Sequence, residues 1–288
     1  MQRLFLFIIT IIPMTVCTFA DDFALPRAAV KIINEVAPKM QNEFNDCVLT
    51  AISEMPVGGG YATNQKARAA LIASFAIVDG RLKFDTSGAT PSFCSGATYL
   101  AFCRALALFH NRHAGDIFKG VAKQLLVKSQ ADGAGVWGRW NANGPGTACL
   151  VASLHMGDSF ERMEDAVPGD FMKIFWTDEV GARERGHSVI FLGLRRDANG
   201  MEFVRFWSSN QPGGFGVKEV ARDKIRWCII TRITHPNEIR LVSTLAERDE
   251  LLVSMLKKTY TRVDIRREIE FLTVANSGQS IKKAQPRE

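Results

Sequence analysis

Residues 97–109 constrain the fold more than any other stretch. Ala97, Leu100, Ala101, Ala105, Leu108 and Phe109 recur at helical spacing and leave the circumference apolar almost all round. A helix of that kind cannot lie on a surface; the rest of the chain must bury it. Pro91-Ser92-Phe93-Cys94-Ser95-Gly96 opens it. The candidates to cover it lie downstream. Gly169-Asp170-Phe171-Met172-Lys173-Ile174-Phe175-Trp176 alternates like a strand, and His187-Ser188-Val189-Ile190-Phe191-Leu192-Gly193 reads as a second. Asp197-Ala198-Asn199-Gly200 carries the Asn-Gly pair of a hairpin turn, and 201–208 follows as a third. Segments 217–220 and 225–233 add more. A helical half followed by an antiparallel meander predicts an α+β fold with the buried helix packed on the sheet.

Upstream, 25–55 reads as helix in two pieces divided by Pro38, and 64–78 returns to helical spacing. A short strand is expected at 82–84, and a loop rich in Gly, Asn and Trp at 131–146. Beyond Pro236 the chain turns helical again. Thr244 with Glu247 suggests a capping box for a helix through Lys257, a further helix is expected at 265–271, and 277–288 forms a polar, basic tail. Hydrophobic residues make up 47% of the 288, enough to fill a core, which excludes a disordered chain. No segment repeats at a fixed period, which excludes a solenoid. The net charge of +6 suits an anionic partner, such as nucleic acid, a membrane surface or a bacterial wall, without choosing among them.

The amino terminus predicts export. Arg3 precedes an apolar run at 4–12 broken only by Thr10; Pro13 ends it, and Thr18-Phe19-Ala20 offers a cleavage site before Asp21 and Asp22. This is the pattern of a signal peptide, residues 1–20, cleaved after Ala20. No other stretch is long and apolar enough to span a bilayer. The remaining cysteines are Cys47, Cys94, Cys103, Cys149 and Cys228. An odd number leaves at least one thiol free unless it pairs between chains, and a free thiol in an oxidising compartment is a liability unless it has a use.

Cys94 is the best placed to have one. A helix amino terminus carries partial positive charge, which favours the thiolate. Cys103 lies nine residues later, on the opposite helix face, and reads as core. His187 heads the second strand and suits proton abstraction from a thiol. The third strand ends in Trp207-Ser208-Ser209-Asn210, where Asn210, or else Ser208, can orient the imidazole. The backbone N–H of Cys94 is an expected oxyanion donor. Ser92, Ser95, Trp137, Trp140 and Trp207 are the candidate substrate-binding residues. Asp170 reads as a turn cap, and His110-Asn111-Arg112-His113 as a solvated helix end. No P-loop, dinucleotide fingerprint, zinc-type cysteine pair or nucleic-acid motif occurs, so no cofactor, metal or nucleic-acid partner is expected.

Cysteine in Phe93-Cys94-Ser95-Gly96, then Pro168-Gly169-Asp170 leading a strand, then His187-Ser188-Val189-Ile190-Phe191-Leu192-Gly193, resembles the NlpC/P60 and CHAP group of papain-like cysteine peptidases, over about residues 90–211. The resemblance implies a papain-like catalytic domain over 21–240, followed by a helical extension with a basic tail over 241–288. It also implies a cysteine nucleophile at Cys94, a base at His187 and peptidoglycan stem-peptide amides as substrate. Phe93 stands where the group commonly has Asp, Ser188 where Val is common, and the third polar position holds Ser-Ser-Asn where many members have His. The leading expectation is an exported cysteine amidase or peptidase acting on peptidoglycan. Its alternatives are a non-catalytic wall-binding or interaction protein of the same fold, with Cys94 simply buried and His187 a strand-edge polar residue, and a papain-like acyltransferase.

Overall fold

The computed structural model describes residues 42–79, 81–113 and 120–267. The expected signal peptide, the helix before Pro38 and the tail at 277–288 lie outside them. The Asn42 side chain accepts the Asn45 N–H and caps α1 (Glu43–Ser53), which buries Phe44, Cys47, Val48, Ala51 and Ile52. After β1 (Gly58–Gly59), Asn64 caps α2 (Gln65–Ala73) in the same way. The helix expected to run to 78 stops at Ala73. Phe75-Ala76-Ile77-Val78 instead forms β2 (Phe75–Val78), paired antiparallel with β3 (Arg81–Phe84). Aromatic and β-branched side chains at 75, 77 and 78 suit a pleated ribbon, and cross-strand pairing overrides the helical spacing before them.

The buried helix is α3 (Cys94–Arg112), and its Ala97, Leu100, Ala101, Phe102, Cys103, Ala105 and Leu106 are fully enclosed. The short α4 (Ala122–Leu125) follows. The segment expected as a loop at 131–146 contains α5 (Gly135–Asn141) and leads into α6 (Gly146–Ser153). Its glycines disguise a helix held by tertiary packing, because Trp137 and Trp140 both point into the core beside Tyr99 and Phe102.

The sheet is built from β1, β4 (Gly157–Phe160), β5 (Phe171–Phe175), β7 (Gly186–Arg196), β8 (Glu202–Asn210), β9 (Gly214–Ala221) and β10 (Trp227–Ile233). Their order is β1-β9-β8-β7-β5-β10-β4, antiparallel throughout. The chain is therefore a mixed α and β protein with one large antiparallel sheet, as the sequence predicts. Strand alternation sorts the side chains into two clusters. Phe171, Ile190, Leu192, Trp207 and Phe215 join the core that contains α3. Met172, Ile174, Val189, Phe191, Val204 and Phe206 form another on the opposite face.

The turn at Pro168-Gly169-Asp170 ties β5 to α1. Gly169 has φ +94°, and a Cβ there would lie 2.8 Å from the Asn45 carbonyl oxygen, so only glycine permits the approach. Asp170 accepts hydrogen bonds from the Val167 N–H at 2.9 Å, from Asn45 Nδ2 at 2.9 Å and from the Arg232 guanidinium at 2.7 and 3.0 Å. The carboxylate is thus a buried clamp between α1, β5 and β10, which is more than the simple turn cap expected.

The segment after 240 is less of an extension than the sequence suggests. Residues 236–244 form a 3-10 helix, and the next helix is α7 (Glu250–Ser254), capped by Asp249 rather than by a Thr244–Glu247 box. Thr259–Tyr260 forms β11, which pairs with β6 (Val180–Gly181). Leu252, Met255 and Ile265 are buried against Phe175, Val180 and Trp227. The described part of 241–288 therefore completes a core. No helix among the described residues is long and apolar enough to cross a membrane.

Candidate active site

Cys94 is the first residue of α3. Phe93, the N-cap, is extended and offers no side-chain capping bond, so the first N–H groups of the helix are left to solvent or a ligand. The start of the helix is fastened from the side. Ser95 Oγ donates to Asn141 Oδ1 at 2.8 Å, and Asn141 Nδ2 donates to Asp132 Oδ1 at 2.9 Å. Behind the nucleophile, Ser92 Oγ donates to Ser209 Oγ at 2.7 Å and joins this loop to the end of β8.

His187 is the second residue of β7. Its Nε2 lies 3.1 Å from Asn210 Oδ1, at the end of the neighbouring strand β8. The amide orientation follows from its other bonds. Asn210 Nδ2 donates to the Gly216 carbonyl at 2.8 Å and to the Ser208 carbonyl at 3.2 Å. With both donors committed, Oδ1 must be the atom facing the ring, and Nε2 must carry the proton that Oδ1 accepts. That leaves Nδ1 for the Cys94 thiol, whose ionised form His187 favours. The ring also packs edge-on against Phe206.

Five cysteines lie among the described residues, none in a disulfide, and electrostatics separate Cys94 from Cys47, Cys103 and Cys228. Burial pushes the Cys47 thiol up to about 11 and Cys228 up to about 12. Burial also pushes Cys103 up, above the range in which a thiol ionises in working proteins. Cys94 suffers desolvation too, but the hydrogen bond and charge of His187, the ammonium of Lys173 and the backbone N–H of Ser188 outweigh it and bring it down to about 6. A thiol in that range is mostly thiolate at neutral pH.

Tyr61 completes the near environment. Burial, together with the neighbouring Cys94 thiol, raises the pKa of its hydroxyl to about 12, so it stays a donor. The backbone explains its place. Tyr61 pairs with Ser92 in a parallel bridge, and its N–H donates to the Pro212 carbonyl at 3.1 Å. It therefore links the loop bearing the nucleophile to the turn after Asn210. The approach requires Gly214, where a Cβ would lie 2.2 Å from the Gly58 carbonyl oxygen.

The structure brings Cys94, His187 and Asn210 together, with Ser92 and Ser95 beside them as supports rather than as open surface. Ser208 is close but turned away from the ring, since its hydroxyl donates to the Ser188 carbonyl at 2.7 Å. Ser209 faces the opposite side of the strand, toward Ser92, as period-two alternation requires. The three tryptophans expected to line a substrate groove do not. Trp137 and Trp140 are 5% and 2% exposed within the α3 core, and Trp207 is 4% exposed and stacked on Phe215. Burying these large rings contributes more than leaving them in a groove; the segment bearing Trp137 and Trp140 is helical, and Trp207 lies within β8. Tyr61 was missed because Gly58-Gly59-Gly60 reads as a helix-ending loop; a glycine run also signals close backbone approach, which is its role here. No family model, curated protein or solved structure matches the chain.

Proposed function

We propose that the protein is an exported cysteine hydrolase with a papain-like site, cleaving amide bonds in peptidoglycan stem peptides. One arrangement carries the reaction class: a thiol at a helix start, lowered to about 6 chiefly by an imidazole that a strand-end amide orients. The likeness of Gly169-Asp170 and of His187 through Gly193 to the NlpC/P60 and CHAP pattern supports the substrate class, and the +6 charge suits an anionic wall polymer. Residues 1–20 support export.

The Cys94 thiolate attacks the amide carbonyl carbon, and the carbonyl π electrons move to oxygen. That oxyanion is received by the Cys94 backbone N–H at the open helix end and by the Tyr61 hydroxyl. Imidazolium His187 gives its Nδ1 proton to the amide nitrogen, the C–N bond breaks, and the amine leaves. Neutral His187 then takes a proton from water as the hydroxyl attacks the thioester. The C–S bond breaks to give a carboxylic acid and the thiolate. Asn210 keeps the Nε2 proton in place throughout and so holds Nδ1 toward sulfur. No step routes through a metal or an organic cofactor.

Digestion of purified peptidoglycan, followed by mass spectrometry of the soluble fragments, tests the activity directly. Fragments bearing a new free amine and a new carboxylate at one stem-peptide bond are expected. Stem peptides left intact by active-thiol protein would exclude the substrate, and fragments carrying a transferred acyl group would reassign the reaction to acyl transfer.

Asn210→Ala is expected to lower kcat/KM about 10²-fold, toward the lower end of what acid–base positioning supplies, because a neutral amide orients imidazolium without adding charge. Ser208→Ala is expected to have a smaller effect, since its hydroxyl serves the Ser188 carbonyl and not the ring. Steady-state kinetics of the two variants check this; equal losses would mean that the Asn210 contact does not position the imidazole.

A further inference from the structure

A buried ion pair stands beside the site and is not consumed by the steps above. Lys173 on β5 pairs in register with Ser188 on β7, the residue after His187, and the Ser188 N–H favours the Cys94 thiolate. Lys173 Nζ is 2.7 Å from Glu184 Oε1, with the side chains 16% and 2% exposed. Glu184 is itself pinned, because its Oε2 accepts the Gly144 and Gly181 N–H groups. The chain entering β7 makes room for the pair. At Gly186, next to His187, a Cβ would lie 2.7 Å from Glu184 Oε1 and 2.9 Å from Lys173 Cε. Any side chain there would push into the pair.

The fixed carboxylate behind the ammonium offsets part of its burial cost, and Cys94 and Asp132 also favour its charge. The pair is neutral as a whole but polar, and its effect on a neighbour depends on which end is nearer. The end that acts on Cys94 is the ammonium: Lys173 favours the thiolate, and Cys94 in turn favours protonated Lys173. The other groups facing this region are His187 and the Ser188 N–H from β7, and Tyr61 from the segment before α2. Asp132, beside α5, also acts on Lys173.

We propose that Lys173 is the positioning residue that holds Cys94 as thiolate, and that Glu184 is its counterweight, weakening the ammonium's field at sulfur. The proposal rests on Cys94 being the nucleophile and extends that reading to β5. A merely structural ion pair would behave differently. Removing either partner of such a pair loosens the same wall, so both changes would move the thiol in the same direction. An electrostatic pair acts with opposite signs.

The test is the rate of Cys94 alkylation by iodoacetamide against pH on the purified full chain, with the modified peptide identified by mass. Wild type should show an inflection near 6, the thiolate being present above it and lost as pH falls through it. Lys173→Met should raise the inflection by about one pH unit, making alkylation about tenfold slower on the acid side with an unchanged alkaline plateau. Lys173→Arg keeps the charge and should stay near wild type. Glu184→Gln should move the inflection down. If Lys173→Met does not fold, Glu184→Gln decides alone: a lower inflection supports the proposal, and an unmoved or higher one overturns it. An unmoved inflection in folded Lys173→Met also overturns it and leaves the nucleophile reading intact. A wild-type thiol that titrates in the ordinary range overturns both.

Discussion

Cys94→Ala is expected to leave the protein folded and to lower turnover of stem-peptide amides about 10⁵–10⁶-fold, the scale on which a covalent nucleophile contributes. The side chain is partly exposed at the open end of α3, and the helix start is held by Ser95, Asn141 and Ser92 rather than by sulfur. Replacing the thiol therefore removes chemistry without removing a support. His187→Ala should cost nearly as much, because without the base the thiol loses the largest influence that favours its ionised form. The two losses should not add. A double variant no worse than either single one is the signature of groups that act as a unit. Matching kinetics with circular-dichroism melts separates chemistry from folding, and near-wild-type kcat in folded Cys94→Ala would end the assignment.

The largest expected loss of stability comes from a residue outside the chemistry. Asp170→Ala should destabilise the protein by about 3–5 kcal/mol, the range for breaking a buried ion pair by removing one partner. The Asp170 side chain is 0% exposed, and that of Arg232 is 13% exposed. Without the carboxylate, the guanidinium is left in the interior, and the Asn45 amide and the Val167 N–H lose their acceptor. Replacing both partners by apolar residues, Asp170→Leu with Arg232→Met, should restore part of the loss, because no buried charge then remains. Urea unfolding measures both. A single variant within about 1 kcal/mol of wild type would show that the clamp does not hold α1 to the sheet.

The physical origin of the site explains which parts were readable in advance. The Cys94 position was legible because an almost wholly apolar helix announces its own burial, and the residues just before it mark its start. His187 and Asn210 were legible because strand period two is strict: once β7 and β8 are antiparallel neighbours joined at the 197–200 turn, their far ends meet. The same periodicity separated Asn210 from Ser209. It could not separate Asn210 from Ser208, which share a face, because that choice depends on a carbonyl of β7 that only the register supplies.

Local chemistry by itself determined the buried helix, the meander and the order Cys94, His187 and Asn210, since each depends on spacing within one element or across one hairpin. Tertiary structure alone decided the rest. The three tryptophans are core rather than groove because burial is set by what packs over them. The carboxylate of Asp170 clamps α1 because a residue in another element, Arg232, turns toward it. Tyr61 and Lys173 reach Cys94 from strands and loops more than thirty and seventy residues away, brought there by sheet order. A thiol's ionisation depends on the summed field of groups that a linear sequence does not place together, and in this protein those groups come from three separate segments.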